Sequence, residues 1–531
     1  MEQAQTQSEA KEQQALKVSR RTGFWAGIGA GLAMTVLMVA LRLYLNAIVL
    51  PELTADWLIK LTPPTIFDFI LTRLQVGAKP LFFGLLLLGQ VLAGGGIGVA
   101  YARYSHRLPL KDKKPWARGV RFGLVLSMVL AGLFTPLIGG GFFGAKVATG
   151  AIGYLAATFL PVVTYGVVMA SLHAMALERR FQSAAKGRRK FLRSAAIFTL
   201  VLAASAFAAS TIVKTISAVT PSRVFRYRGQ LPPEVTPNDQ FYEVSKNIIN
   251  PKVEAASWKL EVGGDVGSPF SLTYEELKAL PWIEQYATLE CISNLVGGDL
   301  ISNALWRGVS LRVLLERAKL SPDAQRIAFH AADGYVDSFP LDIAMREQTM
   351  VAYMMNGDPL PDAHGFPARI IVPGLWGMEN VKWLTRIEPV AATFRGYWQE
   401  RGWADSATYN TMSRLDVPAP SAEVPLGVEV MVGGVAFAGD RSIQQVEFSA
   451  DDGQSWSQAE VKKALGPYTW VLWTGSWTPD TPKLHVLKVR AVDGRGEPQI
   501  AQVQDSLPDG ATGYHLILVD VMPPAEQPKA S

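Results

Sequence analysis

The sequence predicts a multi-domain chain: an all-α transmembrane bundle of five helices, then an α+β domain, then a β-sandwich. Three observations support this prediction. Long apolar runs broken by short basic clusters fill residues 22–216 of the 531-residue chain. Strand-like and helical runs are mixed between about residues 238 and 395. Residues 425–522 alternate apolar and polar positions with period two between turn signals, which is typical of a sandwich.

Five apolar segments are each long enough to cross a bilayer core of about 30 Å, which takes about 20 helical residues. They are 22–48, 80–102, 119–139, 150–176 and 194–216. Lys and Arg concentrate in the tail 1–21 and in the loops around Lys113 and Arg188. The positive-inside rule therefore predicts a cytoplasmic N-terminus, and five crossings put the rest of the chain outside. The glycine clusters at 93–100 and 139–146 follow no predicted strand, so they indicate helix packing or a turn and not a nucleotide site.

The basic loop before the fifth segment can also be interpreted as an export signal. The run "RRKFLR" at Arg188–Arg193 resembles a twin-arginine (Tat) signal, although a basic loop that only orients the helix would also contain arginines. The Tat route moves domains that have already folded, so this motif predicts a cofactor in the exported half. We therefore expect a protein of the bacterial inner membrane whose second half faces the periplasm.

The second half of the chain divides by its periodicity. Residues 217–237 are a Pro- and Arg-containing linker. Residues 238–395 hold the strand-like runs "SWKLEVGG" and "RIIVPG" and the helical runs "TYEELKAL" and "SLRVLLERAKL", with Thr273 before Glu275 and Glu276 as a helix start. A connector, 396–424, precedes the sandwich strands "QQVEFSA" and "LHVLKVRAV", and 523–531 is a tail.

Composition excludes several classes of protein and site. The single cysteine, Cys291, rules out an intramolecular disulfide. The net charge of +5 comes largely from the basic loops, and the second half has no basic tract interleaved with aromatic residues, so a nucleic-acid partner is not expected. His173 is the only histidine within a predicted span, so an intrinsic haem held by two histidines is not expected.

Five segments in the second half resemble the sulfite oxidase family of molybdopterin-dependent oxidoreductases, in the order of that family. The molybdenum-site segment is matched by "TLECISNLVGGDLISNALWRGVSLRVLL". The other four are "NDQFYEVSKN", "DGYVDSFPL", "HGFPARIIVPGLWGMENVKWLTRIE" and "VGGVAFAGDRSIQQVEFSADDGQSW". Together they cover nearly all of residues 238–522. The resemblance implies a sulfite-oxidase-fold domain followed by an immunoglobulin-like β-sandwich.

The resemblance also implies the cofactor site. Cys291 would be the protein ligand to molybdenum, and a soft thiolate suits such a metal, although a buried free cysteine is also common as a small apolar residue. Arg369 and Lys382 would anchor the phosphate of molybdopterin. Weaker candidates for contact with the pterin are Asn238, Phe241, Tyr242, Ser245, Lys246 and His364.

Two residues are candidates for catalysis. In the family pattern the hydroxyl of Tyr335 points at the substrate position and guides proton transfer. The alternative for Tyr335 is a half-buried aromatic side chain at a strand end. Asn294 follows Cys291 closely enough to hydrogen-bond around the metal site, or it only shapes the loop.

The departures from the family bear on the substrate. Leu295 and Val296 stand where the animal and plant sulfite oxidases have two arginines, and Glu379 replaces a third. Burying an anion there would be costly, so we expect a neutral small molecule such as a sulfoxide or N-oxide, unless Arg307 or Arg346 approaches from elsewhere. With no cytochrome-like segment, electrons would pass to or from a separate protein or a quinol.

Three alternatives remain open from the sequence. The first is a catalytically inactive exported binding or scaffold module on the same fold. The second is sulfite oxidation with a divergent anion site. The third is a thiol-nucleophile hydrolase that uses Cys291 and His364, although no nucleophile-elbow pattern surrounds the cysteine.

Overall fold

The computed structural model describes residues 2–45, 47–63, 66, 78–104, 114–147, 150–181, 229–247 and 250–523. The chain forms two compact units. The first comprises Met1–Ser222 with Asn247–Ile249, and the second comprises Arg223–Lys246 with Asn250–Ser531.

The first unit is helical. Its helices are α1 (Glu2–Leu45), α2 (Leu50–Leu61), α3 (Ala78–Tyr104), α4 (Pro115–Val129, extended to Leu137 through a π turn) and α5 (Gly150–Phe181). In the described part of the chain, four stretches are long and apolar enough to cross a membrane: Arg20–Arg42, Leu81–Arg103, Pro115–Leu137 and Ala151–Ala176. They coincide with the first four predicted spans. The predicted fifth span, 194–216, and the motif Arg188–Arg193 lie outside the described residues.

Glycines let these helices approach closely. A Cβ on Gly98 would collide with the backbone carbonyl of Gly23, so α3 and α1 touch backbone to backbone. Gly119 and Gly166 make the same mutual contact between α4 and α5. Small residues at a helix crossing are typical of membrane packing. The first glycine cluster is therefore a packing surface, as predicted, and the second lies in a turn that holds the short 3₁₀ segment Phe142–Gly144.

Helix α2 was not predicted from hydropathy. Glu52 in its first turn accepts a hydrogen bond from the Arg42 guanidinium of α1 at 2.7 Å, and both side chains are mostly buried. Because a lone charge is costly inside a membrane protein, this ion pair satisfies both groups and ties α2 to the end of α1.

The α+β part of the second unit contains two sheets. The first has the order β2-β1-β10-β5-β6 and the second has the order β3-β4-β7-β8, with β9 paired to β7. The strands are β1 (Lys259–Val262), β2 (Phe270–Thr273), β3 (Ile283–Glu290), β4 (Ile301–Ser310), β5 (Arg326–Ala331), β6 (Val336–Pro340), β7 (Met350–Met355), β8 (Asp358–Pro359), β9 (Arg369–Ile371) and β10 (Leu384–Val390). Helices α6 (Tyr274–Lys278), α7 (Leu311–Ala318) and α8 (Leu341–Ala344) complete this part.

The predicted helix start at Thr273 is confirmed. Its hydroxyl accepts from the Glu276 N–H, and the Glu276 carboxylate accepts from the Thr273 N–H at 2.8 Å, which is a capping box. Both predicted strand runs and the helix over "SLRVLLERAKL" are also present.

Two further sheets face each other over one apolar core that includes Trp473, Val446 and Val519. Their strand orders are β11-β13-β17-β16 and β12-β19-β18-β14-β15. The strands are β11 (Met412–Val417), β12 (Glu423–Pro425), β13 (Val430–Phe437), β14 (Ile443–Ser449), β15 (Ser457–Gln458), β16 (Glu460–Val461), β17 (Val471–Trp477), β18 (Leu484–Asp493) and β19 (His515–Met522). These sheets agree with the sheet-rich region expected from the period-two pattern, and its immunoglobulin-like character stays a prediction. Strands β11 and β12 fall in the segment that we expected to be a connector.

Candidate functional site

Cys291 lies directly after β3, where the chain leaves the sheet. Its N–H donates to the Leu300 carbonyl at 2.9 Å, so the loop 291–300 closes on itself at its base. The side chain is 8% exposed, and its sulfur lies 3.1 Å from the Ser293 hydroxyl. The thiol is therefore buried at the start of a short loop whose base is closed by a backbone hydrogen bond.

Asn294 fixes the shape of this loop. Its amide nitrogen donates to the Glu290 carboxylate at 2.8 Å, and its amide oxygen accepts from the Leu300 N–H at 3.0 Å. Burial raises the pKa of Glu290 to about 7, opposed by the bond from Asn294. Both ends of the Asn294 amide are thus engaged within the loop, which supports a positioning role for this residue.

Residues of two sandwich strands, β11 and β19, contact the same loop. Arg414 on β11 donates to the Gly298 carbonyl at 2.8 Å, and it forms a buried ion pair with Asp416 at 2.8 Å. The ring of His515, the first residue of β19, occupies the space that a side chain at Gly297 would fill. The ring also accepts from the Leu415 N–H at 2.9 Å. Sequence motifs gave no sign of these contacts.

The basic residues predicted for the phosphate come together. Gly365, with a φ of +109°, lets His364, Arg369 and Lys382 approach, since a Cβ there would lie 3.0 Å from Lys382 and 3.2 Å from Arg369. Arg369 is 4% exposed and donates to the carbonyls of His364 at 3.1 Å and Asn380 at 3.0 Å. Burial lowers the pKa of Arg369 to about 10. Lys382 donates to the Ala363 carbonyl at 2.9 Å.

His364 is neutral at this site. Its Nε2–H donates to the Asn238 carbonyl at 2.9 Å. Burial, together with Lys382 and Arg369, lowers the pKa of His364 to about 3. The Asn238 side chain in turn accepts from Asn356 at 2.9 Å, and the Phe241 ring packs edge-on against His364 and Trp306. The segment 238–242 is thereby attached to the basic cluster.

Two tyrosines connect Cys291 with Arg369. Burial raises the pKa of Tyr242 well above its ordinary value, with further contributions from Cys291, which raises it, and Arg369, which lowers it. The same two groups act on Tyr409, whose hydroxyl accepts from the Glu290 N–H. The thiol and the buried guanidinium therefore border one region. Tyr409 was not predicted, because it lies in the segment taken as a connector.

The two remaining predicted pterin contacts, Ser245 and Lys246, contact residues outside the basic cluster around Arg369. The Ser245 hydroxyl donates to the Asn250 side chain at 3.1 Å. The Lys246 ammonium lies 5.6 Å from the centre of the Tyr397 ring.

Tyr335 belongs to a buried acidic cluster. Its hydroxyl donates to the Asp337 carboxylate at 2.6 Å and lies 3.0 Å from the Met378 carbonyl. Glu379, a second buried carboxyl group of this cluster, accepts from the Gln399 amide at 3.0 Å. Burial first, and Asp337 second, raise the pKa of Glu379 well above its ordinary value, and burial raises the pKa of Asp337 to about 6. No motif predicted this pairing.

One short turn joins the acidic cluster to the Cys291 region. Gly377 begins the 3₁₀ turn Gly377–Glu379, and a Cβ on it would lie 3.1 Å from the Glu290 carbonyl and collide with the Tyr242 hydroxyl. Met378 in the same turn packs in a cluster that contains Ile292. Glu379 is thus one turn away from the residues around the thiol.

The two other arginines considered for an anion site are engaged with acids. Arg307 pairs with Glu284 at 2.9 Å and stacks on Trp282, while Arg346 lies 3.7 Å from Asp440. Leu295 and Val296 are half-buried. Neither arginine is therefore a substitute for the family's missing ones in this arrangement.

The residues fit an anionic, sulfur-ligated cofactor. Arg369 is a fully enclosed cation whose described hydrogen bonds go only to backbone carbonyls, and its Nε has no acceptor among the described groups. A buried donor that lacks an acceptor is costly, so it indicates a binding partner. A phosphate would supply that acceptor, and the thiolate of Cys291 is a suitable metal ligand.

Comparison with known proteins gives the same indication. Residues 247–398 match the family model described as "Oxidoreductase molybdopterin binding domain". The mitochondrial sulfite oxidase of Drosophila melanogaster is 31% identical over 287 residues, which are 45% of this chain and 50% of that protein. The chain thus spans about half the length of this curated relative.

A bacterial relative is covered more completely. The uncharacterized oxidoreductase YuiH of Bacillus subtilis is 30% identical over 175 residues, which are 33% of this chain and 86% of that protein. Among solved structures, the sulfane dehydrogenase SoxCD of Paracoccus pantotrophus is similar with a TM-score of 0.49 and 24% identity, over 55% of this chain and 82% of that one. The match of residues 247–398 to the molybdopterin-binding domain and the similarity to the two oxidoreductases from Drosophila melanogaster and Bacillus subtilis show the family of this chain. This molybdopterin-binding protein belongs to the sulfite oxidase family of molybdenum oxidoreductases.

Proposed function

We propose that this protein is a membrane-anchored oxidoreductase whose catalytic unit lies on the periplasmic side of a bacterial inner membrane. Four apolar helices and the basic loops support an N-terminus in the cytoplasm and, with the predicted fifth span, an exported second half. The proposed parts are a tail (1–21), a membrane domain (22–216), a linker (217–237), a molybdopterin domain (238–395), a connector (396–424), an immunoglobulin-like sandwich (425–522) and a tail (523–531).

Within the molybdopterin domain, Cys291 is the proposed metal ligand. Arg369 and Lys382 hold the phosphate of the cofactor, with His364, Asn238, Phe241 and Tyr242 around it. Ser245 and Lys246 remain weaker candidates. When bound, the molybdenum cofactor supplies two-electron oxygen-atom transfer. Tyr335 holds a proton at its phenol oxygen for the substrate, Asn294 fixes the Cys291 loop, and a separate electron-transfer protein or a quinol exchanges the electrons.

The substrate we propose is a neutral sulfoxide or N-oxide. Glu379 carries this proposal, because a buried carboxyl group stands where the sulfite oxidases have an arginine, and burial together with the neighbouring Asp337 raises its pKa well above the ordinary value. An approaching dianion would meet no cation from this turn. A neutral oxo compound needs no counter-ion, so the site penalises it far less.

The test is a comparison of turnover by the purified protein with an artificial electron carrier. We expect elemental analysis to find molybdenum, and we expect a panel of sulfoxides and N-oxides to be reduced at rates that sulfite oxidation does not approach. Cys291→Ala should keep the fold, lose this activity and change the Mo(V) spectrum. An unchanged rate and spectrum in that variant would refute the metal assignment.

Sulfite oxidation is the second candidate. It is favoured by the relatives, several of which are sulfite oxidases by name. Efficient sulfite turnover by the wild-type protein, with none of the sulfoxides or N-oxides reduced, would select it.

A further inference from the structure

The sulfur of Cys291 has a polar neighbour that the sequence motifs did not single out. The hydroxyl oxygen of Ser293 lies 3.1 Å from this sulfur, which is close enough for a hydrogen bond between the two groups. Among the described residues, the sulfur is the one hydrogen-bond partner of that hydroxyl group. The Ser293 side chain therefore contacts the atom that is the proposed metal ligand.

A tight turn holds this contact in place. The Asn294 N–H donates to the Cys291 carbonyl at 2.8 Å, so residues 291–294 form a four-residue turn with Ser293 at its third position. Ile292, the second residue of the turn, is buried and packs in an apolar cluster with Trp376. Because hydrogen bonding and packing already hold the backbone of this turn, the contact costs little further conformational entropy.

Binding of a metal decides which of the two groups donates. In the structure either the thiol or the hydroxyl group could supply the hydrogen, since both can donate and accept. A metal-bound cysteine is a thiolate, which has no hydrogen to donate. Ser293 must then be the donor and the sulfur of Cys291 the acceptor. A metal at this sulfur therefore leaves one direction for the hydrogen bond and gives it a charged acceptor.

A hydrogen bond to a ligating sulfur acts on the metal as well as on the ligand. The donor withdraws negative charge from the sulfur, so the sulfur gives less electron density to the metal. The reduced, electron-rich form of the site then becomes more stable relative to the oxidised form. Hydrogen bonds around cysteine sulfurs tune the reduction potentials of copper and iron–sulfur sites in this way. The Ser293 contact should therefore raise the reduction potential.

We propose that Ser293 donates a hydrogen bond to the Cys291 sulfur when that sulfur binds molybdenum, and that this bond raises the reduction potential of the site. The inference rests on the proposed metal ligand. Ser293 acts through Cys291 and is a positioning residue. A higher potential lets the site accept electrons from weaker reductants, which suits a quinol as the electron donor.

The test is a redox titration of the purified holoenzyme without substrate, followed through the Mo(V) signal. Ser293→Ala removes the donor, and we expect it to shift the equilibrium between the two oxidation states by about threefold to tenfold, the usual contribution of one hydrogen bond. For a one-electron couple this shift lowers the midpoint potential by about 30–60 mV. Ser293→Thr keeps a hydroxyl group and should stay near the wild-type potential. The control is Ser257→Ala, which changes an exposed serine outside this turn.

The outcomes distinguish this inference from the metal assignment. A wild-type potential in Ser293→Ala, while Cys291→Ala alters the Mo(V) spectrum, would overturn the role of Ser293 and leave the ligand in place. An unchanged spectrum in Cys291→Ala would refute the ligand and the hydrogen bond together.

Molybdenum content separates a hydrogen-bond donor from a residue that only shapes the turn. Loss of molybdenum from Ser293→Ala alone would support the hydroxyl group as a donor to the bound ligand. Loss from both Ser293→Ala and Ser293→Thr would overturn the proposal, because the second variant keeps the hydroxyl group. An equal shift of potential in Ser293→Ala and in either Ser293→Thr or Ser257→Ala would overturn it as well.

Discussion

Arg369 is a buried cation, and we expect an anion to bind beside its guanidinium group. Arg369→Ala should therefore strongly lower the amount of pterin bound per protein. A charge-assisted hydrogen bond contributes about 1.5–3 kcal/mol, or about 10- to 100-fold in affinity per bond. Arg369→Lys should recover only part of it, because one ammonium cannot replace a planar guanidinium. The measurement is pterin and molybdenum content per protein after purification. Arg312→Ala is the control, because Arg312 is an exposed arginine paired with Glu316 along one helix.

The lowered pKa of His364 predicts that the folded protein loses stability in acid. Its folded-state pKa is lowered from 6.5 to about 3, chiefly by burial, so the folded protein prefers the neutral ring. The stability that this preference contributes is present above about pH 6.5 and is lost as the pH falls toward 3. His364→Gln keeps a donor for the Asn238 carbonyl and should make the melting temperature fall less steeply over this range. A melting curve with the same pH dependence in both proteins would contradict the assignment.

At the residue scale, motif-bearing side chains could be predicted and the acidic pair could not. Cys291, Arg369 and Lys382 stand in motif runs that could be recognised in the sequence, and the structure brings Arg369 and Lys382 together beside Gly365. Asp337 and Glu379 lie far apart in the sequence and meet because β5 pairs with both β6 and β10, which brings the turn before β10 beside Tyr335. Such a long-range pairing leaves no local signal.

The close contact between helices α4 and α5 depends on two glycines. Gly166→Val should destabilise the helical unit by about 1–3 kcal/mol, since the new side chain would collide with the backbone of Gly119. Gly89→Val is the matched control, because a Cβ on Gly89 of α3 has no atom within 4 Å. The measurement is unfolding of the membrane domain in detergent. Equal losses in both variants would show that helix propensity, and not packing, sets the effect.

Elements with a strong period were predictable from the sequence, and short ones were not. The period-two runs became β14 and β18, and the capping box marked the start of α6. Helix α2 is too short for a hydropathy window, and β12 has only three residues. Helix α2 is tied to α1 by the ion pair between Arg42 and Glu52, and β12 pairs with the distant strand β19, so tertiary contacts decided both elements.

For the whole molecule, the predicted topology has a direct test. We expect a reporter fused after residue 531 to lie outside the cytoplasm, because five predicted spans with a cytoplasmic N-terminus would place that end of the chain outside. A second reporter placed in the loop around Lys113 should show the opposite sidedness. Cytoplasmic activity of the first reporter would contradict both the span count and the compartment.

The export motif has its own test. Arg188→Lys with Arg189→Lys preserves the positive charge and removes the guanidinium pair that a Tat receptor would recognise. We expect the first four spans to insert and the molybdopterin domain to stay in the cytoplasm, measured by protease accessibility from the periplasmic side. Normal translocation of the double variant would show that this loop only orients the helix.

The contact of β19 with the Cys291 loop sets an order of events during synthesis. His515 and Arg414 support Gly297 and Gly298, yet the ribosome makes His515 more than two hundred residues after the cysteine. A nascent chain that ends before β19 therefore has the loop open on that side. We therefore expect a polypeptide that is truncated before β19 to retain less cofactor than the full chain, because the Cys291 loop would lack the support of His515.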